Sequence, residues 1–185
     1  MYYLSFNSKK TLEKEKLIFD EPLLAIILEY FHYIVVIISP IIFAVGFFYV
    51  QLNFRNPILF PFSIVTLILS FFISLFIFVQ VKKSFMLRMV KGKENRKENM
   101  NSIEKISNKR NYKILYKDNY SHVILIEDID FAYHNVRELF ILYKDDKIYI
   151  RCLTYAMYGL KNPFHWISQK RIENMFIENL ISKMP

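Results

Sequence analysis

Residues 30–54, YFHYIVVIISPIIFAVGFFYVQLNF, and residues 56–81, NPILFPFSIVTLILSFFISLFIFVQV, decide the fold class of this chain. Arg55 alone separates them, and neither carries a charge. Each exceeds the roughly 20 apolar residues that a helix needs to cross a hydrocarbon core about 30 Å thick. A core helix of a soluble protein shows polar residues recurring along one face. In IVVIISPIIFAVGFFYV and ILFPFSIVTLILSFFISLFIFV only Ser, Thr, Pro and Gly interrupt, and membrane helices tolerate all four. Back to back, Tyr30–Phe54 and Asn56–Val81 predict a transmembrane helical hairpin. Pro40 is expected to kink the first helix, while Pro57 and Pro61 suit the turn and the first turn of the second.

Orientation follows from the flanks. Lys9, Lys10, Lys14 and Lys16 precede the hairpin, and Lys82, Lys83, Arg88, Lys91, Lys93, Arg96 and Lys97 follow it. Cytoplasmic loops carry the Lys/Arg excess, so both termini are expected inside and the short loop outside. The spans follow about thirty mixed polar residues, unlike the apolar stretch of a signal peptide, and read as retained anchors. The expected location is the inner (cytoplasmic) membrane, with two passes. Of the net charge of +8, residues 82–98 supply +5, from seven basic and two acidic residues. Those seven cations are the expected contacts with anionic lipid headgroups, each worth on the order of 1 kcal/mol near a bilayer. The composition of KGKENRKENMNS makes residues 82–111 read as a basic linker. A nucleic-acid arm is the competing reading.

Beyond the linker the pattern changes to short runs rich in Ile, Tyr, Phe and Val: YKILYKD, HVILIED, IDFAYHN, ELFILYKD and KIYIRCL. Asp145-Asp146 reads as a hairpin turn, and Lys147-Ile148-Tyr149-Ile150-Arg151 alternates like a strand with one buried face. Helices are predicted at Leu153–Leu160 and Arg171–Met184, with a strand at HWIS between them. YYLSF at the start could add an edge strand. The expected fold is therefore α+β: residues 1–29 as an N-terminal segment, the membrane hairpin over 30–81, the linker over 82–111, and over 112–185 a small antiparallel β domain closed by a C-terminal helix.

The residues favour a binding module over an enzyme. Glycine occurs at Gly46, Gly92 and Gly159 only, so there is no glycine-rich phosphate loop. His32, His122, His134 and His165 lack metal-binding spacing, and Cys152 is alone. Glu127, Asp128 and Asp130 cluster, but strand neighbours point to opposite faces. Glu29 lies at the margin of the first span. No catalytic residue, cofactor or metal is expected.

Two resemblances add to this. Trp166-Ile167-Ser168-Gln169-Lys170-Arg171 running into IENMFIENLISKM, after a membrane hairpin and a β domain, resembles the YcxB-like proteins of bacteria. Their cytoplasmic part has a pleckstrin-homology-like (PH-like) fold, and Gln169 stands where that family has proline. Kinship implies a module at the inner leaflet that binds a protein partner or lipid, and some related proteins are linked to self-protection against bacteriocins. The second resemblance is local. VILIEDIDFAYHN, FILYKDDKIYIRCLTYAMYGL, and Phe164, Ile167, Ile172 and Asn174 are similar to a LytTR DNA-binding domain, with Arg151 on its "iR" step. It implies a membrane-tethered transcriptional regulator. Candidate contacts with a partner or DNA are then Arg151, Lys170, Arg171 and Asn174. Expected partners are membrane lipid and a protein partner or second copy, with nucleic acid only under the LytTR alternative.

Overall fold

The structure, a computed structural model, describes residues 6–54, 59–127, 136–155, 161–162 and 165–181. The chain divides into two units: Met1–Glu21 together with Ser84–Pro185, and Pro22–Lys83. The first unit is thus discontinuous, with the second inserted into it.

The inserted unit holds two long helices, α2 (Leu23–Phe54) and α3 (Leu59–Ser84), following the short α1 (Ser8–Lys14). Pro40 lies inside α2, and Pro61 falls in the first turn of α3, where a missing backbone donor costs nothing. Pro57 and Arg55 lie outside the described residues.

The other unit is built on a five-stranded antiparallel sheet ordered β1-β5-β4-β3-β2. Its strands are β1 (Arg88–Lys91), β2 (Lys113–Lys117), β3 (Ser121–Glu127), β4 (Val136–Lys144) and β5 (Lys147–Tyr155). The register Leu139↔Cys152 and Ile141↔Ile150 sets same-face pairs along the longest ladder. Asp145 takes a left-handed conformation (φ 54°) in the turn between β4 and β5. This is the Asp-Asp turn expected from sequence, at a residue type that tolerates αL.

Both faces of the sheet are buried. Leu139, Ile141, Tyr143, Ile148, Ile150 and Cys152 join Ile103 and Ile106 of α4 (Arg96–Lys109) and Ile172, Phe176 and Leu180 of α5 (Trp166–Ile181). On the opposite face, Val123, Phe140, Leu153 and Tyr155 pack with Leu17, Phe6, Phe19, Phe85 and Leu87. Phe140 meets Phe6 at 5.0 Å and Phe19 at 5.5 Å between ring centroids. The N-terminal segment therefore covers one side of the sheet. Leu17 N–H donates to the Phe85 carbonyl at 2.9 Å, and Leu87 N–H to the Glu15 carbonyl at 3.1 Å. These bonds clasp the two segments that flank the helical insertion.

Four expectations change. Residues 82–111 are not a linker: they carry the end of α3, β1 and α4. Met100, Ile103 and Ile106 recur at helical spacing under the polar composition, and Asn95 caps α4 by accepting from Lys97 N–H at 2.9 Å. Leu153–Tyr155 extend β5 instead of starting a helix, and 156–160 lie outside the described residues. HWIS is no strand, because Trp166–Ser168 begin α5. That helix spans Trp166–Ile181, where Arg171–Met184 was expected. The runs at 2–5 and 129–135, together with Asp128, Asp130 and His134, lie outside the described residues.

Candidate functional site

The largest unusual surface is that of α2 and α3. Leu23, Phe43 and Phe54 are 73%, 72% and 79% exposed, and Phe62, Val65, Phe71 and Phe72 are exposed on α3. The buried positions are polar, small or amphipathic instead: Tyr33, Ala44 and Gln51 on α2, and Ser63, Ser70, Ser74 and Ser84 on α3. That is the reverse of a water-soluble helix pair. Ser63 Oγ and Thr66 Oγ1 donate back to carbonyls of their own helix, at 2.7 and 2.8 Å, which satisfies them without water. Tyr33 OH donates to Glu29, the single acidic residue of α2.

In the sheet unit, one buried carboxylate gathers two arginines. Glu173 on α5 is 1% exposed and sits 3.2 Å from Arg88 and 3.4 Å from Arg151. Its carboxylate also accepts the Cys152 N–H at 3.0 Å. Pairing with β1 starts at Arg88↔Ile150, so Cys152 lies past the start of that ladder. Glu173 supplies the acceptor that a neighbouring strand would have offered. Arg151 Nε donates to the Ser84 carbonyl at 2.6 Å, and Arg88 Nη1 to Asn174 at 2.8 Å. Of the four candidate contacts with a partner or DNA, Arg151 and Asn174 are therefore engaged internally. Lys170 and Arg171 are exposed on α5, beside exposed Trp166 and Ile167.

A second polar chain crosses the sheet. Tyr143 OH lies 2.9 Å from His122 Nδ1, His122 Nε2 lies 3.1 Å from Glu104, and Glu104 lies 2.5 Å from Lys117. Burial holds His122 below its ordinary value and pushes the Tyr143 hydroxyl well up. The Lys117 ammonium keeps the Glu104 carboxyl below the usual carboxylate range. The order Tyr–His–Glu resembles a proton relay, but Tyr143 is fully buried. It ties β4, β3 and α4 together.

The seven expected headgroup contacts scatter. Lys82 and Lys83 are exposed in the last turn of α3. Arg88 is engaged as above. Lys91 faces Lys147 at the turn end of β5, and Gly92 N–H bonds the Asp146 carbonyl at 2.7 Å. Lys93 pairs with Glu98 at 3.8 Å, and Arg96 stacks 5.0 Å over Tyr120. Lys97 is exposed. No family model, curated protein or solved structure matches this chain. Among the described residues no group of three metal-ligating side chains converges. His165 is half-buried and held low by burial and by Arg137. Sequence reading missed Glu173, because its role depends on Arg88 and Arg151, which lie far away in the chain.

Proposed function

We propose that this chain is a non-enzymatic integral protein of the inner membrane, in which α2 and α3 anchor the β-sheet unit at the cytoplasmic face to bind a protein partner or lipid headgroups. The carrying observation is the inverted hairpin, with large apolar side chains outside and serines shielded. In water such a surface would far exceed the few hundred Å² of apolar patch that soluble proteins expose. In lipid it is solvated. The unit's two segments flank the hairpin, so an even number of crossings returns the chain to one side. The Lys/Arg excess on both flanks supports a cytoplasmic location for that side.

The single long α5 packed across the sheet favours the PH-like, YcxB-like reading. The engagement of Arg151 and Asn174 inside the unit disfavours the LytTR reading. The test is alkaline carbonate extraction combined with thiol labelling in a Cys152→Ala background. The protein stays in the membrane fraction, Asn56→Cys reacts with an impermeant reagent in intact cells, and Lys9→Cys reacts only after permeabilisation. Release by carbonate, or the opposite labelling pattern, refutes the proposal.

A further inference from the structure

Both points at which the chain leaves the sheet unit lie at one end of it. Glu21, the last residue before the insertion, pairs with Lys161 at 2.7 Å. Ser84, the first residue after it, accepts from Arg151, which in turn pairs with Glu173 of α5. Lys161 bridges to Tyr155 at the end of β5, and Gln169 of α5 donates to the Asn162 carbonyl at 3.2 Å. The start of α5 therefore stands at the attachment end of the unit. Lys91, Lys93, Arg96 and Lys97 lie beyond the opposite end of β5, by its turn with β4. At a rise of about 3.3 Å per residue, the eight steps along the nine residues of β5 separate the two ends by about 26 Å.

At this attachment end α5 exposes an unusual combination. Trp166 is 38% and Ile167 67% exposed, and Lys170 and Arg171 project one turn later. Asn174, Met175 and Glu178 complete the same shallow surface. An indole and an aliphatic side chain beside two cations match the interface of an anionic bilayer: the ring sits at headgroup level and the cations meet phosphates.

We infer that the first two turns of α5, through Trp166, Ile167, Lys170 and Arg171, dock on the anionic surface of the membrane that holds the hairpin. The inference rests on the membrane-anchored reading of α2 and α3. It assigns to headgroups two residues expected from the sequence to contact a partner or DNA, and it moves the main headgroup contact from the basic stretch after α3 to α5. Tethering makes docking intramolecular, so a weak contact is populated at any protein concentration.

Trp166 is the single tryptophan of the chain, so its fluorescence reports this surface alone. The full chain is reconstituted into vesicles of brominated phosphatidylcholine, with or without phosphatidylglycerol. Anionic vesicles quench Trp166 and neutral ones do so much less. Losing two cations, each worth about fivefold, lowers the docked-to-undocked ratio roughly 30-fold in Lys170→Gln/Arg171→Gln. Salt near 1 M, where the Debye length is about 3 Å, has a similar effect. Both substituted residues are exposed, so the fold is retained. Carbonate-resistant protein whose Trp166 is unquenched in anionic vesicles, or equally quenched in neutral ones, overturns the docking and leaves the anchoring intact. A Trp166 response to duplex DNA in neutral vesicles overturns it in favour of a nucleic-acid surface. Release by carbonate refutes the anchoring itself.

Discussion

Replacing Glu173 by Gln removes one buried negative charge from between two arginines and preserves the side chain's shape. Glu173 is 1% exposed, while the side chains of Arg88 and Arg151 are 38% and 13% exposed. At about 3.3 Å and an effective dielectric constant near 20, each contact is worth roughly 5 kcal/mol before desolvation. Most of that offsets the cost of taking the ions out of water. Breaking a buried pair from one side costs about 3–5 kcal/mol net, and the exposure of Arg88 discounts its share. The expected loss for Glu173→Gln is therefore about 2–3 kcal/mol. Glu173→Leu also orphans the Cys152 N–H, adding about 1–3 kcal/mol. The assay is guanidinium unfolding of the full chain in detergent micelles, followed by Trp166 emission. Arg151→Met with Glu173→Leu recovers much of the loss, because a well-packed apolar pair replaces the ions. If Glu173→Gln unfolds within about 0.5 kcal/mol of the wild type, the charge cluster does not hold α5 to β1 and β5.

Three further outcomes are expected. Because burial holds His122 below its ordinary 6.5, the unfolded chain binds a proton that the fold refuses. Stability therefore declines as pH falls below about 6.5. The lowered carboxyls of Glu104 and Asp118 add a second decline near and below about pH 4. Unfolding midpoints at about pH 7.5 and about pH 5.5 differ less in His122→Gln than in the wild type, and an equal drop in both excludes His122 as the source. Phe140→Ala, at a fully buried position under Phe6 and Phe19, costs about 3–5 kcal/mol. It also opens residues 7–20 to limited proteolysis before the sheet, and an unchanged cleavage pattern contradicts the packing described. In Gly92→Ala the new Cβ would lie 2.8 Å from the Asn99 amide, which the Lys93 backbone holds at 2.7 and 2.9 Å. The expected cost is about 1–3 kcal/mol in the same unfolding assay, and a neutral result means that Asn99 yields freely.

The helical hairpin and the β4–β5 turn were legible because their signals are local: uninterrupted apolar runs, and an Asp pair between alternating strands. The strands β2 to β5 followed from β-branched and aromatic runs of the right length. The stretch after α3 misled, because composition outweighed the spacing of Met100, Ile103 and Ile106, three apolar residues among polar ones. β1 carries just one Val among Arg88, Met89 and Lys91, and its strand state comes from pairing with β5. The N-terminal segment has no strong pattern of its own, and Phe6, Leu17 and Phe19 gain meaning from Phe140, which follows by more than a hundred residues. The site was hardest to read for the same reason. Lys170 and Arg171 were visible as cations, but their position relative to Glu21 and Ser84 depends on contacts no local motif records.

The clasp between Glu15–Leu17 and Phe85–Leu87 imposes an order on how the chain is made. Phe6, Leu17 and Phe19 leave the ribosome more than a hundred residues before Phe140, Leu153 and Tyr155. Closing a flexible loop of about 60 residues would cost about 3.6 kcal/mol of chain entropy. Once α2 and α3 have formed, the intervening chain is no longer flexible and that cost is already met. A nascent chain whose helices fail to form keeps three large apolar side chains unburied near its N-terminus. Chaperones and proteases recognise such exposure, so the clasp ties survival of the sheet unit to correct assembly of its insertion.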